Sequence, residues 1–154
     1  MPAWIRARVA SGTPLIGVCL GMQLLYERSE ESPGVAGLRV LAGAVRRLPA
    51  GRKVPHMGWN SLRVVRPSPI VEGIGMDPYV YFVHSYVVEP TDSGGVVATA
   101  SYGVDFPAVV QDGPVIGLQF HPEKSGAPGL RLLRNMLAAA GTSSAATSSA
   151  APAR

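Results

Sequence analysis

The chain of 154 residues contains a single cysteine, Cys19, which excludes an internal disulfide and makes a reducing cytoplasm the default setting. It lacks any apolar run of membrane-spanning length, and its opening residues, MPAWIRARVASG, lack the apolar stretch of a secretion signal. Charge is scarce, at 16% of residues, and the formal excess of +4 is scattered along the chain. Only Arg46, Arg47, Arg52 and Lys53 cluster, without interleaved aromatics, which favours a solvated or docking face over a nucleic-acid groove. No internal repeat is present. What remains is a composition 47% hydrophobic, over a length that suits one globular domain with a substantial core.

The one cysteine stands at a conspicuous place. Residues 13–25 read TPLIGVCLGMQLL, in which an apolar run, Leu15 to Val18, predicts a strand and the run from Met22 to Glu27 predicts a helix. Cys19 lies at the junction, with Gly17 and Gly21 on either side. This is the layout of a nucleophile elbow, where small neighbours permit the sharp turn that pushes a side chain out at the end of a sheet. The start of the helix is expected to favour thiolate over thiol.

A partner for such a thiol occurs a hundred residues later, in QFHPEKS at 119–125. Pro122 holds His121 extended, and extended residues at i and i+2 face the same way, so His121 and Glu123 are expected side by side. Imidazole oriented by carboxylate is the base that a cysteine nucleophile needs.

Between these motifs, residues 3–10 predict the last turns of a helix, 29–37 a polar turn, and GAVRRL and RKVPH short strands joined at Pro49-Ala50-Gly51. PHMGWN (55–60) is expected to be a loop, LRVV a strand, 67–76 a connection, and YVYFVHSYVV (79–88) one long strand. GVVATASY, PAVVQDG and PVIGLQF predict three more strands, and 129–140 an amphipathic helix. Residues 141–154 are Ser, Thr, Ala and Pro with nothing to bury, and are expected to be a disordered tail after a domain of residues 1–140. The order predicts an α/β sandwich with a mostly parallel central sheet and added antiparallel strands.

With the elbow, His121-Pro122-Glu123, PHMGWN and Tyr81-Phe82-Val83-His84-Ser85-Tyr86 all in place, the sequence resembles the class I (triad-type) glutamine amidotransferases. Within them it is similar to the glutaminase subunits of imidazole glycerol phosphate synthase, on PHMGWN, on the 81–86 motif, and on Glu123-Lys124-Ser125 followed by Gly129-Leu130-x-Leu132-Leu133. The resemblance implies that Cys19 attacks the side-chain amide of glutamine, that His121 moves the protons, and that Glu123 orients it. It implies half an oxyanion hole at the Leu20 amide, and substrate contacts from Gln23 with the backbone of Gly21, Ser85 and Tyr86. No metal or cofactor is implied. The implied partner is a (β/α)8-barrel cyclase subunit that receives the ammonia, with Trp59 as interface anchor and Met57, Tyr81 and Lys124 beside it. His84, inside an apolar strand, is expected to be a structural, hydrogen-bonded histidine.

Members of the family carry βα units ahead of the elbow, with a loop supplying the second oxyanion donor. Only the end of a helix precedes Thr13 here, so the stretch as written is expected to lack those N-terminal units, and to be poorly active and aggregation-prone despite its triad. Two alternatives stand beside the leading reading: the glutaminase of another amidotransferase, such as a pyridoxal phosphate-forming or anthranilate-forming system, and a non-catalytic module that docks through Trp59.

Overall fold

The structure, a computed structural model, describes residues 3–148. Helix α1 (Ala3–Ala10) is followed by strand β1 (Leu15–Val18) and the short helix α2 (Leu20–Leu24). Then come β2 (Arg28–Ser29), β3 (Gly43–Arg47), β4 (His56–Ser61), β5 (Arg63–Val64), β6 (Tyr79–His84) and β7 (Tyr86–Pro90). Strands β8 (Val96–Ser101), β9 (Asp105–Asp112) and β10 (Val115–Leu118) form a meander, and a 3-10 turn, Pro122–Lys124, leads into helix α3 (Gly126–Ser148).

The largest sheet has the order β1-β10-β9-β8-β5, a second has β2-β3-β7, and β4 pairs with β6 alone. The architecture is thus mixed α/β, with parallel pairing among the described residues at β1–β10 and β2–β3, and antiparallel pairing elsewhere. Short turns between β8, β9 and β10 permit only antiparallel neighbours, whereas β1 and β10 meet from distant parts of the chain. Strand β10 is buried at all four positions. Successive side chains point to opposite faces, so Ile116 and Leu118 enter a core with Phe82, Phe106, Phe120, Leu132 and Met136, while Val115 joins Met22, Leu25, Tyr26, Val45 and Val88 on the other side. Helix α3 covers the first core and α2 the second. The elbow and the loop after β10 therefore sit at the end of two adjacent strands clamped from both faces.

Several elements differ from expectation. PHMGWN is not a loop. His56–Ser61 pairs antiparallel with β6, Trp59 opposite Tyr81 and His56 opposite His84. Pro55 and Gly58 suggest a break, but Gly58 takes φ 128° within the strand and lets the pairing continue. RKVPH forms no strand before His56, consistent with the donor that Pro55 lacks. The run 79–88 splits at Ser85, where the chain leaves the β4–β6 pair for the β3–β7 pair. Both halves are apolar because both line the interior, so hydropathy hides the bend. Helix α2 stops at Leu24 rather than Glu27, because the carbonyls of Leu24, Leu25 and Tyr26 accept from the amides of residues 38–41. Helix α3 is longer than expected and is described to Ser148, past Gly141, while residues 149–154 lie outside the described residues. Among the described residues no helix is long and apolar enough to cross a membrane.

Candidate active site

Cys19 has φ 53° and ψ −109°, a conformation that L-residues avoid and that a surrounding fold must impose. The imposition comes from two sides. Its amide donates to Leu118 O at 2.7 Å, continuing the β1–β10 pairing, and α2 begins at once behind it. A Cβ on Gly17 would stand 2.5 Å from Gly21 O, so the strand and the helix approach as closely as they do only because residue 17 has no side chain. Gly21 has open space at the same test and is not a steric requirement of the turn.

The thiol is half-buried, with Sγ 3.7 Å from Val83 O and 3.9 Å from Gln119 Nε2. Burial pushes its pKa up, against the pull of the Leu20 amide and Gln119, and the Glu123 charge pushes it further. The expected preference for thiolate is therefore reversed: the Leu20 amide at the start of the helix does favour the charged form, but desolvation outweighs it. A thiol in this state needs a base. As first residue of α2, Leu20 presents an amide with no intrahelical carbonyl to receive it.

His121 follows β10 in extended conformation, its amide donating to Tyr81 O at 3.0 Å. Its Nδ1 lies 2.8 Å from Glu123 Oε1. Since a carboxylate only accepts, Nδ1 carries the proton and Nε2 is left as the base. Partial burial works against ionisation of Glu123, but its own backbone amide and His121 outweigh that and hold it below the usual carboxylate range. The buried Ser125 hydroxyl donates to His121 O at 2.6 Å and accepts from the Tyr81 amide at 3.0 Å, tying the loop to β6. Parallel register sets Val18 opposite Leu118, so Cys19 and His121 leave the sheet at the same end. No hydrogen bond joins them among the described residues.

Gln23 is buried, and its Nε2 donates to Tyr86 O at 3.0 Å and to Gln119 Oε1 at 3.3 Å. Gly21 lies on the same helix, and Ser85 forms the bend before Tyr86. His84 is buried and hydrogen-bonded, as expected, to Tyr86 O at 2.9 Å. Met57 and Trp59 are 62% and 56% exposed, Trp59 meets Tyr81 edge-on at 5.9 Å, and Lys124 Nζ lies 6.0 Å from the Tyr81 ring. The four residues expected at an interface thus form one surface patch. Sequence reasoning assigned no role to Gln119, Ser125 or His56. The signal for Gln119 was available, as a lone polar residue between apolar Leu118 and Phe120 that has to find partners when buried.

His56 is buried, stacked on Phe82 and Tyr102 with ring centroids 4.8 and 4.0 Å away, and burial, His84 and Arg52 push its pKa down to about 4. His84 moves in the same direction, by burial. The unfolded chain takes up these protons near the ordinary histidine pKa while the folded chain resists, so the contribution is complete above about 6.5 and lost as pH falls toward about 4. Denaturant midpoints should accordingly fall between pH 7 and pH 4.5, with a shallower slope for His56→Asn. An equal slope in the variant would contradict the assignment.

A family model described as glutamine amidotransferase class-I matches residues 1–140. Similar relatives include the imidazole glycerol phosphate synthase subunit HisH of Geobacillus kaustophilus, 53% identical over 141 residues and covering 88% of this chain and 66% of that protein. The subunit of the same name from Moorella thermoacetica is 50% identical over 133 residues, covering 86% of this chain and 63% of its own. This chain thus spans 63–66% of the length of these relatives. Among solved structures, a crystal structure of a glutamine amidotransferase superposes with a TM-score of 0.66 at 32% identity, covering 89% of this chain and 66% of that one.

Proposed function

Since the chain belongs to the glutamine amidotransferase class-I family, we propose that it is the glutaminase subunit of an imidazole glycerol phosphate synthase. It hydrolyses glutamine to glutamate in the cytoplasm and passes the ammonia to a (β/α)8-barrel cyclase subunit. The observation that carries the chemistry is the His121–Glu123 hydrogen bond of 2.8 Å at the strand end next to the elbow. It supplies an oriented base to a thiol that burial keeps protonated.

In this reading His121 Nε2 takes the Cys19 proton as Sγ attacks the glutamine amide carbon. The Leu20 amide receives the developing oxyanion, and Glu123 stabilises the imidazolium. Collapse of the tetrahedral intermediate breaks the C–N bond, His121 hands its proton to the departing ammonia, and a γ-glutamyl thioester remains. His121 then takes a proton from water, whose oxygen attacks the thioester, and the returned proton restores the thiol as glutamate leaves. Gln23 has committed its N–H groups to Tyr86 and Gln119, so it offers its Oε1 to the substrate's ammonium group. The backbone of Gly21, Ser85 and Tyr86 completes the contacts.

The synthase is favoured over other amidotransferases by relatives of that name at 50–53% identity, and by the patch of Met57, Trp59, Tyr81 and Lys124. An exposed Trp edge-on to Tyr is the form of an interface anchor. Trp59→Ala should weaken binding to the barrel by about 30-fold or more, measured by calorimetry, with an unchanged melting temperature. Unchanged affinity would place the docking face elsewhere. The reading as a whole is tested by glutamine hydrolysis with and without a purified barrel cyclase and its nucleotide substrate. Hydrolysis that rises with the partner and vanishes in Cys19→Ala supports it, and ammonia transfer to a different acceptor enzyme would overturn the assignment.

A further inference from the structure

An unbroken line of hydrogen bonds runs from β4 to the thiol. Asn60 Nδ2 lies 3.4 Å from His56 Nε2, His56 Nδ1 lies 2.9 Å from His84 Nε2, and His84 Nδ1 lies 2.9 Å from Tyr86 O. Gln23 Nε2 donates to the same carbonyl and to Gln119 Oε1, and Gln119 Nε2 reaches Cys19 Sγ. We propose that His56 and His84 are positioning residues: they fix the Tyr86 carbonyl, and through it the Gln23 amide, in the orientation that receives glutamine. The inference rests on the glutaminase reading above.

The protons of the line follow from its ends. A carbonyl only accepts, so His84 carries its proton on Nδ1 and accepts at Nε2. His56 must then donate from Nδ1, which leaves its Nε2 to accept from Asn60. Every ring nitrogen of the pair is satisfied with both rings neutral, in a setting where both are buried and His56 stacks on Phe82 and Tyr102. Tyr86 O receives His84 and Gln23 together and so fills both lone pairs, which holds the Gln23 side chain by its Nε2 and leaves Oε1 with no donor among the described residues. Tyr86 follows directly on the Ser85 bend, where the chain passes between sheets, so a side-chain clamp here acts on the segment expected to line the substrate.

The wiring is read directly by nitrogen-15 NMR of the intact chain, whose three histidines are readily told apart by substitution. His56 and His84 should both be Nδ1–H tautomers, the minor form of free histidine in water, and Nε2–H forms would overturn the line. Its role is read from kinetics in the complex with the barrel cyclase. His84→Leu should raise KM for glutamine about tenfold, while alkylation of Cys19 by iodoacetamide keeps its rate. His84→Asn, whose amide takes the place of Nδ1–H, should restore most of the loss. A merely structural histidine would lower the melting temperature without moving KM. A wild-type complex that turns over glutamine, with KM in His84→Leu within about twofold of it, overturns the positioning role alone. A wild-type complex inert toward glutamine overturns the glutaminase reading and the positioning role together.

Discussion

Cys19→Ala should lower glutamine turnover by about 10⁴-fold or more, and His121→Ala should do so by a similar factor, because in the proposed mechanism the two act on one proton. The thiol is held in its protonated form by burial, so without His121 only a small fraction is nucleophilic. The informative result is the double variant. If the residues work as a unit, Cys19→Ala combined with His121→Ala is no slower than either alone, whereas independent roles would multiply the losses. Steady-state ammonia release in the complex with the barrel cyclase measures all three. Thermal melts should barely move, since Cys19 is half-buried and His121 is only partly enclosed.

The second large effect involves no reacting group. Gly17→Ala should reduce turnover about 100-fold and destabilise the chain by about 1–3 kcal/mol. The added Cβ would meet Gly21 O at 2.5 Å, the Gly21 carbonyl carbon at 2.6 Å and Met22 N at 2.8 Å, all backbone atoms that no rotamer change relieves. Helix α2 has to move away from β1, and with it the Leu20 amide and the strained Cys19 backbone. Gly21→Ala is the control. Nothing lies within 4 Å of a Cβ there, so stability should be unchanged, and any loss of turnover then reports crowding of the substrate side. Equal melting temperatures for Gly17→Ala and wild type would contradict the close-approach account.

What the sequence made legible follows from where local chemistry dominates. The elbow was readable because a positive-φ turn between an apolar strand and a helix leaves few residue choices around it, and Cys19 does occupy that turn. The pairing of His121 with Glu123 followed from Pro122, although Glu123 reaches the ring from a 3-10 turn and not from an extended i+2 position. The strand character of His56–Ser61 was hidden, because it depends on cross-strand partners in β6, from Tyr79 opposite Ser61 to His84 opposite His56, that no local window of sequence contains. The same long-range pairing conceals the His56–His84 contact. Two histidines in separate motifs carry no mark that their rings meet at 2.9 Å. The preference of Cys19 for its protonated form was equally invisible, since desolvation is set by the whole fold and the helix dipole by a local segment.

The glutaminase reading is tested most directly by the reaction of a diazoketone analogue of glutamine with the chain in complex with the barrel cyclase, followed by mass spectrometry. Cys19, as the single cysteine, should gain one adduct with saturating kinetics, glutamine should protect it, and His121→Ala should slow the reaction strongly. Labelling no faster than that of a simple free thiol, and indifferent to glutamine, would contradict a glutamine-directed nucleophile at this elbow.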